Sequence, residues 1–268
     1  MRYGAIVVAA GCSTRMRAFK PMLPLGQETI IQRVIRTLRE ADVEDIVVVT
    51  GFRGEELEAH LACAEVRLVR NQNYGSTGMY ESICLGMRAL LGTCGRFFVM
   101  PGDVPLVQSR TLLQMRESNS AVVRPMCGGR PGHPLLLDAD CIKILLQYSG
   151  LGGLRGAVNA LSLSTEDMET DDFGVLLDAD TPEDYQRVLC CLERRGDGHF
   201  QIRHALRAAG RVCRDFGKKG GMCDEKNLFN PAWGNGTDER QSGLPGRQTG
   251  SAAVPSGTDP GCNACPML

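Results

Sequence analysis

The chain is poor in the features that mark a protein for a highly charged or membranous partner. Lys and Arg (30) almost cancel Asp and Glu (31), leaving a formal charge of -1. No basic excess is therefore available to neutralise a nucleic-acid backbone. No apolar run approaches the roughly 20 residues of a membrane span. The first residues are interrupted by Gly4 and Gly11 and lack the apolar segment of a secretory signal. The expectation is a cytoplasmic protein with neither a membrane nor a nucleic-acid partner. Histidine is scarce, at four residues, and none adjoins the lone Cys262/Cys265 pair. That CxxC lacks the further ligands a structural zinc site needs. The twelve cysteines are otherwise scattered, with only Cys190 and Cys191 adjacent. This usage suits reduced thiols, several of them acting as small core residues. The GxGxxG turn of dinucleotide-binding folds is missing from the first loop, which disfavours an oxidoreductase. No internal repeat is visible.

What is present starts with a short apolar run, residues 3–8, that reads as a buried strand and ends in AAGCSTRMRAFK, residues 9–20. A strand closing in a glycine turn offers backbone N–H groups to an anion. Ser13 and Thr14 add hydroxyl donors, and Arg15 and Lys20 add positive charge. Two cations beside a glycine turn suit a triphosphate better than a carboxylate. An ordinary strand-to-helix loop with a solvated basic flank is the alternative.

The following segments alternate. Ile30, Ile31, Val34, Ile35 and Leu38 repeat at helical spacing behind a capping Thr29. Strands are expected at 46–49, 66–69 and 96–100, and helices at 55–61 and 77–91. This order predicts a mostly parallel sheet with helices on both faces. Ligands bind such sheets beyond the carboxyl ends of the strands. Arg15, Lys20, Asn71 and Asp103 then share one rim. Further on, strands are expected at 121–124, 135–137 and 174–177, with a glycine-rich loop at 127–134 and a helix at 138–147. Residues 150–160 read as a tight glycine-rich piece with a short helix near its end. Thr181-Pro182-Glu183-Asp184 starts a helix that runs to about residue 195, with a cap, a proline at the first position and acids in the first turn. Composition then changes. Residues 1–195 are expected to form the folded domain. Residues 196–268 form an extension, a basic helix over 200–219 followed by a disordered tail from about 234.

Asp103 follows an apolar strand and is followed by Val104-Pro105-Leu106-Val107. A carboxylate in such surroundings needs a partner. Mg²⁺ supplies one, being held by one or two carboxylates plus substrate phosphates. A turn or cap acid is the alternative. Asp178 and Asp180 would share a face if they lay on a strand, and Asp180 is the preferred second metal ligand because it is nearer the strand end. His133, between Pro131 and Pro134, is either an acceptor contact or a surface histidine.

Taken together, AAGCSTRMRAFKPMLPLG, NQNYGSTGMYESICLGMRAL, MPGDVPLV, GGRPGHPLLL, GLGGLRGAV and DADTPEDY resemble, in order, the nucleotidyltransferases that activate sugar phosphates and the molybdenum cofactor. The likeness is greatest to the MobA-like, molybdenum cofactor cytidylyltransferase branch and covers residues 3 to about 190. The resemblance implies a GT-A-like nucleotidyltransferase fold, a three-layer α/β/α sandwich with a mostly parallel sheet and a Rossmann-like first half. It implies that Ala9, Ala10, Gly11, Ser13, Arg15 and Lys20 hold the nucleotide triphosphate, with Asn71, Gly78 and Ser82 near the nucleoside. Arg15, Lys20 and Asp103 would be catalytic, Asp103 and Asp180 would hold Mg²⁺, and His133 would lie near the acceptor. Ala10 stands where guanylyl-transferring relatives carry a second glycine, which favours CTP. The implied acceptor is the phosphate of molybdopterin, and a molybdoenzyme or a chaperone is the implied protein partner. Arg17 stands where the cofactor branch often carries glycine, and the pair Lys20-Pro21 resembles the sugar-phosphate branch instead. That keeps open a sugar phosphate or phosphocholine as acceptor, and a nucleotide-binding regulator without turnover as a rival. HFQIRHALRAAGRVCRDF, residues 199–216, resembles the first helix of an HD-type hydrolase domain without its downstream His-Asp pair. Cys265-Pro266-Met267-Leu268 has the outline of a prenylation box, in which proline is a poor fit.

Overall fold

A computed structural model describes residues 1–194 of the chain except residues 14 and 17. The expected basic helix, the tail, the HD-like segment, the Cys262/Cys265 pair and the last four residues lie outside the described residues. So do Thr14 and Arg17. Among the described residues no helix is long and apolar enough to cross a membrane.

In chain order the elements are β1 (Tyr3–Ala9), β2 (Pro24–Leu25), β3 (Glu28–Thr29), α1 (Ile30–Glu40), β4 (Asp45–Thr50), α2 (Gly54–His60), β5 (Arg67–Arg70) and α3 (Met79–Leu90). Then come β6 (Arg96–Pro101), α4 (Ser109–Met115), β7 (Val122–Cys127), β8 (Arg130–Pro131), β9 (Leu135–Asp138), α5 (Ile142–Leu145), α6 (Gly153–Ala160), β10 (Thr165–Glu169) and α7 (Pro182–Arg194). One sheet runs β10-β7-β9-β6-β1-β4-β5, with β8 added on β7. Strand β1 is parallel to both β4 and β6, and β4 to β5. Only β9 and the short β8 run against their neighbours. The α/β, mostly parallel architecture expected from the alternation is thus the one observed.

The pleat sorts β1 into two faces. Ala5, Val7 and Ala9 join Val48, Phe98 and Met100 under α1, α2 and α4. Ile6 joins Val47, Val49, Phe97 and Val99 under α3, α5 and α6. Helix α3 lies so close to β1 that a Cβ at Gly86 would stand 2.4 Å from Ile6 Cγ2, so only glycine fits. A third core, of Leu25, Ile30, Leu106, Tyr185, Val188 and Leu192 among others, seats α7 beside the segment that follows the first loop. There the Tyr185 hydroxyl donates to the Pro24 carbonyl.

Three expectations differ from the observed chain. Residues 174–177 are not a strand: Phe173–Leu176 is a 3₁₀ turn. Its backbone is pressed against the 106 carbonyl, where a Cβ on Gly174 would stand 1.9 Å away. Asp178 and Asp180 therefore do not sit on a strand. The edge strand is instead β10, whose sequence TEDME is exposed and charged and so shows no apolar alternation. The helix expected at 138–147 is a 3₁₀ turn, Ala139–Cys141, running into the single-turn α5. Helix α4 is short and carries no distinct apolar periodicity, so local pattern does not announce it.

Register brings three strand ends to one level. Val8 pairs with Val49 on one side and Pro101 on the other. The loops after β1, β4 and β6 therefore leave the sheet together. They are tied by Phe52 N–H donating to the Ala10 carbonyl at 3.2 Å and Gly102 N–H to the Val8 carbonyl at 2.9 Å.

Candidate active site

The loops after β1 and β6 border a cavity of about 320 Å³. Its walls come from Val8 to Ser13, Arg15, Lys20 and Pro21, from the loop into α3 (Tyr74, Thr77, Gly78, Met79, Ser82), and from Pro101, Gly102, Asp103 and Asp180. It lies at the carboxyl ends of β1 and β6, beside the strand from which the chain order diverges in both directions, where open α/β sheets take their ligands.

The β1 loop is held open. Ser13 is left-handed, at φ 50°, an uncommon conformation for a residue with a side chain. Its Oγ accepts from the Lys20 N–H at 3.4 Å, and its carbonyl accepts from Met16 N–H at 3.2 Å. Met16 is buried in the third core, which pins the far side of the loop. Gly11 lines the cavity and has no atom within 4 Å of where a Cβ would stand. Packing within the protein therefore does not call for glycine there, whereas a ligand pressed against the backbone would.

Charge converges on this loop. Lys20 Nζ donates to Asp103 Oδ2 at 3.1 Å and also to Asp180 Oδ1. Arg15 Nη2 is 2.6 Å from the other oxygen of Asp180. The Lys20 side chain is only 11% exposed, while Arg15 is 71% exposed. Burial pulls the Lys20 pKa down, but its bonds to Asp180 and Asp103 outweigh that and leave it above the ordinary lysine value. Asp180 is delivered by backbone contact: Ala179 N–H donates to the Asp103 carbonyl at 2.9 Å. Buried Ala179 and Leu177 hold that segment against α7. Residues 83 and 160 positions apart from Lys20 thus meet on one ammonium group.

The candidate residues distribute as follows. Ala9, Ala10, Gly11, Ser13, Arg15, Lys20, Gly78, Ser82, Asp103 and Asp180 all line the cavity. Asp178 does not; desolvation and then the charges of Asp180, Asp103 and Asp184 raise its pKa. Asn71, expected on the rim, is buried one layer behind it. Its Nδ2 donates to Thr77 Oγ1 and Ser82 Oγ, both at 3.0 Å, so it braces two wall residues. His133 lies outside this cavity, in an adjoining one of about 540 Å³ that shares Val8, Gly78, Met79 and Pro101 with it. His133 is itself an exposed residue, although protein crowds its surroundings enough to desolvate it. That desolvation lowers its pKa, against the opposing pull of Asp103. Among the described residues no three His, Cys, Asp or Glu side chains gather as a metal cluster.

Tyr74 and Thr77, not among the expected site residues, also line the cavity, and both belong to the NQNYGSTG stretch. Tyr74 ends an aromatic column, edge-on to Phe52 at 6.3 Å, which is edge-on to Phe19 at 5.9 Å. Polar residues just before the amino end of α3 were the available signal.

The model of the MobA-like NTP transferase domain matches residues 5–166. Molybdenum cofactor cytidylyltransferase of Escherichia coli is 30% identical over 184 residues, covering 67% of this chain and 92% of that protein. A nucleotidyl transferase structure from Methanothermobacter aligns at 27% identity and TM-score 0.65, covering 72% of this chain and 99% of that one. CTP:phosphocholine cytidylyltransferase of Streptococcus pneumoniae aligns at 17% identity and TM-score 0.54, covering 72% of this chain and 100% of that one, a likeness of fold alone. With the matched domain occupying more than half of its length and the glycine turn, lysine and aspartates converging at the strand ends, the chain belongs to the MobA-like NTP transferase family of nucleotidyltransferases.

Proposed function

We propose that this chain is a Mg²⁺-dependent cytidylyltransferase that moves CMP from CTP to the phosphate of molybdopterin and releases pyrophosphate. The observation that carries the reading is Lys20 bonded to both Asp103 and Asp180 on the wall of a cavity floored by a glycine turn. The Escherichia coli relative supports the choice of base and acceptor.

The donor set suits a hard divalent cation. Asp103 and Asp180 present carboxylate oxygens to one cavity, and Mg²⁺ is ordinarily held by one or two carboxylates together with substrate phosphates. Two wall cations only balance two wall anions, so a triphosphate entering alone would meet aspartates without compensation. When bound, Mg²⁺ would supply Lewis-acid neutralisation of the phosphate oxygens. The protein supplies the rest. Backbone N–H groups of the Gly11 loop and the amino end of α3 face the phosphates. Lys20 and Arg15 offset charge on the triphosphate and the departing pyrophosphate. Ser82 and Thr77, held by Asn71, orient the nucleoside. An acceptor phosphate is already ionised at neutral pH, so its oxygen attacks the α-phosphorus in line without a general base. Rate enhancement then comes from position and electrostatics. The cavity at His133 adjoins the nucleotide cavity and would hold the acceptor.

The test is pyrophosphate release with CTP and with GTP, each against molybdopterin, a hexose phosphate and phosphocholine. Release with CTP and molybdopterin alone supports the reading. Release only with a hexose phosphate or phosphocholine moves the acceptor to the second reading, which Lys20-Pro21 and the fold of the phosphocholine enzyme favour. Thermal stabilisation by nucleotide without pyrophosphate in any arm indicates a nucleotide-binding regulator.

A further inference from the structure

The cavity beside the nucleotide site has an unusual rim. Leu151 is 94% exposed and Met79 is 62% exposed, and both line this one cavity. A lone exposed leucine needs no explanation. Two large apolar side chains left in solvent at one mouth, over walls of Ile83, Val99 and Leu135, form a patch with a use.

The Leu151 loop is held in place at its backbone. The Tyr148 hydroxyl donates to the Leu151 carbonyl at 2.8 Å, and Gly156 N–H donates to the Gly152 carbonyl at 2.9 Å. Tyr148 is itself set edge-on against Tyr80, 6.1 Å between centroids, and the Tyr80 hydroxyl donates to the Leu145 carbonyl at 2.6 Å. Gly152 and Gly153 take φ of 89° and 58°, which turns the chain sharply into α6. The Cβ of any other residue at 156 would stand 2.0 Å from the Leu151 carbonyl oxygen. The fold thus fixes the Leu151 main chain and leaves its side chain bare at the rim. Met79 is similarly placed by the first residue of α3, and it borders both cavities. The polar groups on this wall are few: Glu81, His133 and Arg155, the last without a carboxylate partner among the described residues.

We infer that Leu151 and Met79 are specificity-determining residues, a clasp on the flat apolar face of a fused-ring acceptor whose phosphate points toward the nucleotide cavity. This deepens the proposed function and rests on it. A hexose or a choline would place hydroxyls or a hydrated cation against these two side chains and gain little from them. A planar heterocycle would bury both, with Arg155 free to meet an anionic substituent.

The experiment compares wild type with Leu151→Asn and Met79→Gln, each close in size to the native residue and each at an exposed position. Binding of 6-hydroxymethylpterin phosphate in the presence of CTP is followed by pterin fluorescence, and acceptor and CTP kinetics are measured with molybdopterin. The expected result is a pterin Kd raised about tenfold in each variant, and an acceptor KM raised as much in Leu151→Asn, the factor that desolvating part of one apolar side chain commands. In Leu151→Asn the KM for CTP and the kcat should stay within about twofold, since Leu151 lines only the second cavity; Met79 also borders the nucleotide cavity, so for Met79→Gln the pterin Kd alone is the readout. Unchanged melting temperature excludes a folding effect. If wild type turns over molybdopterin but both variants keep the wild-type pterin Kd and Leu151→Asn the wild-type acceptor KM, the clasp is wrong and the proposed function stands. If wild type takes only a hexose phosphate or phosphocholine, the proposed function fails and the clasp falls with it.

Discussion

Replacing Lys20 by methionine separates what that side chain does for folding from what it does for chemistry. Lys20 Nζ bonds Asp103 at 3.1 Å and Asp180 as well, with 11% of its side chain exposed. Each hydrogen bond to a charged group is worth about 1.5–3 kcal/mol. Desolvation of the ammonium offsets much of that. Arg15 remains on Asp180 at 2.6 Å, and Asp103, 26% exposed, regains water. The net loss should be about 2 kcal/mol, or about 4–8 °C in melting temperature for a domain of this size. Turnover should suffer far more. Removing one preorganised electrostatic contact from a developing anion lowers kcat by about 100- to 1,000-fold. The assay is pyrophosphate release under saturating CTP and acceptor, beside differential scanning calorimetry. Adding Asp103→Asn to Lys20→Met should lower stability by less than the two single losses combined, because they share one contact. Turnover within about fivefold of wild type would refute the assignment of Lys20 to the phosphates. A melting temperature lower by far more than about 8 °C would instead make Lys20 a structural keystone.

Asp172→Ala should be among the costliest substitutions away from the cavity. Its buried carboxylate accepts from Gln108 N–H at 2.8 Å, Gln108 Nε2 at 2.9 Å, Thr111 Oγ1 at 2.9 Å and Gly174 N–H at 3.0 Å. Denaturant unfolding should show a loss of about 3–5 kcal/mol, since buried donors are orphaned. Asp178→Asn should stabilise. Its carboxyl pKa is raised in the folded state by desolvation and by Asp180, Asp103 and Asp184. The charged form therefore weakens folding at neutral pH. The gain, read as melting temperature, should shrink as pH falls and vanish below the unfolded value of about 3.9; a gain that persists unchanged below that pH would contradict it. Desolvation holds the His133 pKa below the ordinary value, against the opposing pull of Asp103. Stability should fall as pH drops below about 6.5 and through that lower pKa, because the unfolded chain takes the proton first. His133→Gln should flatten that part of the pH–melting curve, and an unaltered curve would show that His133 is not its source.

Much of the fold was legible because it is written in local pattern. Buried parallel strands such as β1, β4 and β6 are near-continuous apolar runs. Helices α1 and α3 carry their apolar residues at helical spacing, and the strand–helix alternation predicts a parallel sheet whose strand ends meet on one rim. The glycine turn with Arg15 and Lys20 announced an anion site by residue type alone. What stayed hidden depended on partners distant in the chain. The sequence prefers Asp180 to Asp178 only through the end of a strand that the chain does not form; the Ala179 N–H to Asp103 carbonyl bond and the seat of α7 decide which one meets Lys20. Asn71 reads as a rim residue, yet Thr77 and Ser82 draw its amide inward. Strand β10 is an exposed, charged edge, so it has no apolar pattern to read, and the 174–177 run that has one is forced into a turn by the backbone at Leu106. Sequence by itself determined the parallel strands β1, β4 and β6, helices α1 and α3, and the cationic glycine turn, because periodicity and turn propensity act over a few residues. Tertiary structure alone decided which carboxylates share the lysine and that His133 faces a second cavity, because Coulombic and packing contacts between segments up to 160 residues apart exist only once the sheet has assembled.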